Sequence, residues 1–233
     1  MIMRLRRLDQ LLSSLGYCSR RSAREFLKSG AVLVDGEVAE RGDARVDPVL
    51  VMVNGEPLEG VDGLIALFHK PVGYVCSTAE NEGPTIYELL PDLWTQRSPP
   101  VTSIGRLDKD TSGLLLLTDQ GALIQKLTSP KSHTPKVYDV TVDHDLDPRL
   151  IDVFASGALM LRSEDTPCLP ANLEIISPRE AQLTLTEGRY HQVRRMFASQ
   201  GWEVLTLHRS RVGTLTLGDL KPGEWRLLDP ATV

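Results

Sequence analysis

The sequence is poor in the residues and patterns that mark several large classes of protein. It has three cysteines, Cys18, Cys76 and Cys168, far apart and odd in number. That offers neither a disulfide framework nor a CxxC metal or redox motif, and it suits a reducing compartment. No stretch approaches the roughly 18 consecutive apolar residues needed to cross a bilayer, and no charged-then-apolar leader opens the chain. The five histidines, His69, His133, His144, His191 and His208, show no HExxH or comparable spacing, so no metal site is expected. There is no phosphate-binding GxxxxGK[ST] loop, no GxGxxG and no GxSxG. Nucleotide hydrolysis, dinucleotide-dependent dehydrogenation and common serine-hydrolase chemistry are therefore set aside.

What is present is ordinary globular material. The 233 residues suffice for one large domain or two smaller ones, each with its own core. The net charge of −5 hides two opposed segments. Residues 1–30 carry seven Lys/Arg against Asp9 and Glu25, and residues 31–60 carry two against seven acidic residues. The basic surface is thus confined to one region, as contact with phosphates requires.

Leu5, Leu8, Leu11, Leu12 and Leu15 recur at helical spacing and Gly16 supplies a stop. Ser19 can cap a second helix over residues 20–29, ended by Gly30. Arg20, Arg21, Arg24 and Lys28 then form a cationic helix edge suited to a phosphate backbone. Asp35-Gly36 and Asn54-Gly55 follow short apolar runs and predict tight turns, because these pairs tolerate positive φ. Two helices and a small sheet make a compact α/β module over residues 1–60. Residues 60–63 read as a linker, and residues 61–233 as a second, α+β domain. There, strands expected at 64–68, 113–118, 136–142, 171–176, 181–186 and 202–207 come mostly in consecutive runs. That order favours a mainly antiparallel sheet flanked by helices, the clearest of them at 122–127, 146–155 and 192–199.

The centre of this domain is Ser103 to Gly121, SIGRLDKDTSGLLLLTDQG. Its apolar run reads as a strand buried on both faces. It is entered through a dense polar knot of Arg106, Asp108, Lys109, Asp110, Thr111 and Ser112. GRLDKDTSGLLLLTDQG resembles the catalytic motif of the pseudouridine synthases, in the branch containing RsuA and its large-subunit relatives. Lys136-Val-Tyr138 and EGRYHQVRRMF, Glu187 to Phe197, match the same branch in the expected order. His69-Lys70-Pro71 departs from it, standing where relatives commonly carry Asn-Lys-Pro. Residues 7–36 resemble the small S4-like RNA-binding module.

The resemblance implies isomerisation of a uridine already in RNA, on the small-subunit type's target at position 516 of 16S rRNA, or the same chemistry on large-subunit rRNA. A catalytically silent RNA-binding assembly factor is the reading from another class, opposed by the intact motif residues. Asp108 is implied as the essential carboxylate, attacking carbon-1′ of the ribose or forming a glycal. Asp110 and Asp119 are read as turn and cap residues. Tyr138 is implied to stack on the target base, Arg194 to be the cation partner of Asp108, and Leu207 to line the pocket. Arg106 is read as a helper in RNA handling, with Arg20, Arg21 and Arg24 contacting RNA from the first module. The reaction is redox-neutral, so no cofactor is expected. The expected partner is ribosomal RNA, 16S in particular, or a pre-ribosomal particle, met by a cytoplasmic monomer without membrane contact.

Overall fold

The computed structural model describes residues 5–77, 83–129 and 132–232. Arg4, which contributes to the basic balance of the amino-terminal segment, lies outside them. The chain opens with strand β1 (Arg6–Arg7), helix α1 (Leu8–Ser14) and helix α2 (Ala23–Lys28). Strands β2 (Val32–Val34), β3 (Glu37–Val38), β4 (Arg45–Val46), β5 (Val51–Val53) and β6 (Glu56–Pro57) follow. β2, β3, β5 and β6 pair as an antiparallel sheet in the order β3-β2-β5-β6. Both predicted turns form: Asp35 and Gly36 have φ of 52° and 80°, and Asn54 and Gly55 have 51° and 84°. Positive φ at both central residues matches the right-handed twist of the flanking strands. Leu8, Leu11, Leu12 and Leu15 are buried against Leu27, Val32, Val51 and Val53, giving this segment its own core.

Two expectations here need correction. Leu5 does not enter the first helix and is exposed, because Arg6 and Arg7 pair with β4 instead. The second helix begins at Ala23 rather than residue 20. Ser19 and Ser22 hydrogen bond to each other, and the Ser22 amide donates to the Ser19 hydroxyl at 3.1 Å, holding Arg20 and Arg21 in a turn.

The remaining chain forms β7 (Ile65–Lys70), α3 (Asp92–Gln96), β8 (Thr102–Ile104), β9 (Thr111–Thr118), α4 (Gly121–Thr128) and β10 (Lys136–Val142). It continues through α5 (Arg149–Ala155), β11 (Asn172–Ser177), β12 (Glu180–Leu185), α6 (Gln192–Ser199), β13 (Val204–Val212), β14 (Leu215–Thr216) and β15 (Trp225–Leu227). Its sheet runs β11-β12-β10-β13-β9-β7-β15, with β8 on β9 and β14 on β13. Every strand pairing in this sheet is antiparallel among the described residues except β9 with β13.

Strand β9 is buried on both faces. Leu115 and Leu117 join the large core with α3, α5 and α6, and Leu114 and Leu116 join a second core under α4. Burying a leucine contributes about 1.5–3 kcal/mol, so four in a row anchor the sheet. A strand covered on both sides has no polar face, hence the unbroken run. Gly113 lets β9 meet β13: a Cβ there would lie 2.3 Å from the Arg209 carbonyl oxygen, and its φ is 117°.

The predicted linker is clamped. Arg97 is buried and donates to the carbonyls of Glu59 and Gly60, while its Nε meets Asp119 at 2.8 Å. Asp119 also accepts from the Leu64 amide at 2.8 Å, so it ties two segments together rather than merely capping a turn. Short helix α3, unforeseen between its flanking prolines, buries Trp94, whose indole donates to Glu59.

Candidate active site

Strand adjacency assembles a cleft on the large-core side of the sheet. Leu207 of β13 pairs with Val140 of β10 on one side and with Thr111 of β9 on the other. This register puts Tyr138, Leu207 and the start of β9 side by side. The cleft is lined by Arg106, Leu107, Asp108, Thr111, Tyr138, Leu185 and Leu207, and by Gly188, Arg189 and His191–Val193 at the entry to α6. Asp108, Tyr138, Leu207 and Arg106, separated in sequence by up to 101 positions (207 − 106), thus share one wall system. Tyr138 and Leu207 are buried, Asp108 is half-buried and Arg106 is exposed. The Arg106 guanidinium has no hydrogen-bonding or ionic partner among the described residues and is free to meet an anion.

The turn that carries Asp108 is held through its backbone. The Asp108 carbonyl accepts from the Thr111 amide at 3.0 Å, and the Lys109 carbonyl from the Gly73 amide at 2.8 Å. Lys70, fully buried at the end of β7, donates to the carbonyls of Pro71, Lys109 and Thr111 at 3.0, 3.3 and 2.8 Å. Burial pushes its ammonium pKa down, opposed by the nearby Cys76, Asp108 and Asp110. The Cys76 thiol donates to the Leu107 carbonyl at 3.5 Å, and burial pushes its pKa up. Backbone carbonyls thus use up the cation and thiol behind the turn, while the Asp108 carboxylate points to the cleft.

Arg194 differs from its expected place. It makes no ion pair with Asp108 among the described residues; its guanidinium donates to the carbonyls of Val204 at 2.7 Å and Asp110 at 3.2 Å. It ties the Asp108–Asp110 turn to the start of β13 because α6 lies between the two. The basic side chain next to Asp108 is instead His191, whose Nε2 lies 3.4 Å from Oδ1. Neither Lys70 nor His191 stood out in the sequence. Their signals are a lysine at the end of an apolar strand, and a histidine within the EGRYHQVRRMF motif.

The entry to α6 is braced by a charged network. Arg195 donates to Glu164 at 2.7 Å and to the Tyr190 carbonyl at 3.1 Å. Arg189 meets Glu187 and Glu164 at 3.1 and 3.4 Å, and Gln192 donates to Glu187 at 2.6 Å. The Arg195 hydrogen bond leads the causes that hold the Glu164 carboxyl below its usual range. Arg195 is therefore a brace. Arg20, Arg21 and Arg24 lie outside the cleft, exposed and without carboxylate partners among the described residues. No group of three or more His, Cys, Asp or Glu is arranged to hold a metal, and no helix is long and apolar enough to cross a membrane, among the described residues.

Residues 65–199 match the family of RNA pseudouridylate synthases, and residues 6–48 match the S4 domain. The chain is 42% identical to the ribosomal small subunit pseudouridine synthase A of Yersinia pestis, over 95% of this chain and 94% of that one. It is 40% identical to the protein of the same name from Escherichia coli K12, over 95% and 96% of the two chains. A crystal structure of a pseudouridylate synthase superposes with a TM-score of 0.68 at 35% identity, covering 97% of each chain. The match over residues 65–199, with about 40% identity to relatives over nearly the whole chain, places this S4-containing protein in the RNA pseudouridylate synthase family.

Proposed function

We propose that this protein isomerises a uridine of small-subunit ribosomal RNA, position 516 of 16S rRNA, to pseudouridine. The observation that carries the reading is the placement of Asp108. It is a single half-buried carboxylate on a backbone-pinned turn, facing a cleft walled by Tyr138 and Leu207. The name shared by relatives about 40% identical over nearly the whole chain supports the small-subunit substrate.

In this reading the target nucleotide leaves the RNA stack and its uracil rests against Tyr138, whose flat ring holds a pyrimidine without covalent chemistry. Leu207 excludes water beside it. Asp108 either attacks carbon-1′ or acts at the ribose to form a glycal, as carboxylates do in glycosyl chemistry. The bond from carbon-1′ to N1 breaks, the base turns, and a bond to carbon-5 forms as carbon-1′ releases the Asp108 carboxylate or, on the glycal route, as carbon-2′ regains its proton. Carbon-5 loses a proton and N1 gains one, so the atoms balance without an oxidant, reductant or cofactor. Arg194 acts through the turn it holds, and Arg106 takes a phosphate of the bound RNA. Residues 1–60, with Arg20, Arg21 and Arg24 exposed, supply a separate RNA-binding module, and residues 61–233 the catalytic domain. The working protein is a cytoplasmic monomer acting on ribosomal RNA or a pre-ribosomal particle.

The test is a pseudouridine map of both ribosomal RNAs in cells lacking the gene, then complemented with wild type or with Asp108→Asn. Loss of the 16S site, restored by wild type and not by the variant, is expected. Loss of a large-subunit site alone would replace the substrate while keeping the chemistry. Restoration by Asp108→Asn would remove the assignment of the carboxylate.

A further inference from the structure

Three observations converge on His191, which the proposed mechanism leaves unused. Its Nε2 approaches Oδ1 of Asp108 at 3.4 Å, within ion-pair reach and long for a hydrogen bond, as contacts in unliganded sites often are. Its backbone is left-handed, with φ 48° and ψ 35°, a conformation that non-glycine residues adopt rarely and that concentrates at functional sites. Its ring lies against Tyr190, centroids 3.8 Å apart and planes 17° from parallel, although Tyr190 is otherwise 70% exposed.

A helix entry could be built with less strain by asparagine or glycine. Here the left-handed turn aims the imidazole at the cleft. Behind it, Arg195 holds the Tyr190 carbonyl and bonds to Glu164, so the backbone presenting both rings is anchored. The imidazole is left between the carboxylate ahead and the phenol ring behind. With 41% and 33% of the two side chains exposed, the Asp108–His191 contact adds little to folding. Its geometry concerns the direction of the carboxylate.

We infer that His191 is a positioning residue for Asp108: its Nε2–H engages Oδ1 and leaves Oδ2 free to face carbon-1′ of the ribose, with Tyr190 as the backing ring. The inference rests on the proposed function for its catalytic consequence, though the coupling of the two side chains does not. Besides Asp108, the charged and titratable groups lining the same cleft are Arg106, Arg189 and Tyr138. None of them pairs with Asp108 among the described residues; Lys70 acts on it electrostatically from behind the turn, and His191 is the basic group recorded within ion-pair reach of its carboxylate.

Two measurements test this on the full chain. In the first, carboxyl-labelled aspartate is followed by NMR while pH is varied. The Asp108 resonance should show a second inflection at the titration of His191, absent in His191→Asn. The second compares wild type, His191→Asn, Tyr190→Phe and Tyr190→Leu in single-turnover rate, RNA affinity and melting temperature. Asparagine accepts the left-handed backbone but is too short to reach Asp108. It should slow turnover by about 10- to 100-fold, as misplacement of a reacting group does, with affinity and melting temperature near normal. Tyr190→Phe should resemble wild type, and Tyr190→Leu should fall between. A His191→Asn enzyme at wild-type rate, a rate loss matched by weaker affinity or by unfolding, or an Asp108 resonance blind to His191 would each overturn the inference. A wild type inactive on every uridine RNA would instead overturn the functional reading, with the NMR result still deciding the coupling.

Discussion

The ammonium of Lys70 ends 2.8 Å from the carbonyl oxygen of Thr111, across the antiparallel pairing of β7 with β9. Through this contact and its bonds to Pro71 and Lys109, a buried cation fixes the backbone on the far side of Asp108.

Lys70→Met keeps the side chain's length and removes this donor from the Pro71 and Thr111 carbonyls, while the Lys109 carbonyl keeps the Gly73 amide. A destabilisation of about 2–5 kcal/mol is expected, since buried acceptors left unsatisfied cost about 1–3 kcal/mol each and the loop can partly relax. Urea denaturation gives the stability, and single-turnover rate per folded molecule should also fall because the Asp108 turn loosens. Normal stability with a normal rate would mean the lysine is a bystander.

Neutralising Arg20, Arg21 and Arg24 together should weaken RNA binding and flatten its dependence on salt. Every RNA phosphate that is no longer neutralised by an arginine takes about 0.7 to 0.9 off the log–log slope. Turnover on saturating RNA should change much less, because these exposed residues line no part of the cleft. Titrations from low to moderate salt check it; an unaltered slope would make the three arginines a solvated surface.

Tyr138 is 9% exposed, belongs to the large core and yet lines the cleft, so packing and stacking must be separated by substitution. Tyr138→Phe keeps the flat face, and Tyr138→Leu keeps apolar volume without it. If the ring holds an extruded uracil, the Leu variant should lose far more activity than its melting temperature explains, consistent with about 1–3 kcal/mol of base stacking. The Phe variant should bind RNA well and turn over slowly if the hydroxyl also assists proton removal from carbon-5. A normally folded, fully active Leu variant would end the stacking role.

His208 shares a hydrogen bond with Ser112 at 2.8 Å, and its ring meets His69 edge-on at 5.4 Å. Burial first, then the nearness of His69, lowers its pKa below the ordinary 6.5, with Asp139 opposing. The unfolded chain therefore binds more protons than the folded one between that lowered value and 6.5. The stabilisation is fully present above pH 6.5 and is lost as pH falls through the folded-state pKa. Denaturation curves at pH 7.5, 6.5 and 5.5 should show this loss, and His208→Gln should shallow it. Identical pH dependence in the variant would assign the loss to other groups.

Local sequence determined much of this protein. The continuous leucines of β9 could only be covered on both faces, and the Asp-Gly and Asn-Gly pairs could only make tight hairpins. Residues 136–142 and 192–199 took up the strand and the helix their patterns indicated, because burial period and local backbone preference agreed there. The ordered motifs likewise pointed to Asp108, Tyr138 and Leu207, which the sheet register brings to one cleft. Partnership was decided only by the tertiary structure. The family resemblance implied Arg194 as the partner of Asp108, but the path of α6 past β13 gives that guanidinium two carbonyls to satisfy. The left-handed turn at its entry sends His191 to the carboxylate instead. Lys70, Arg97 and Asp119 acquired their roles in the same way. A buried ion or carbonyl takes the nearest group that satisfies it, and which group is nearest depends on how distant segments pack.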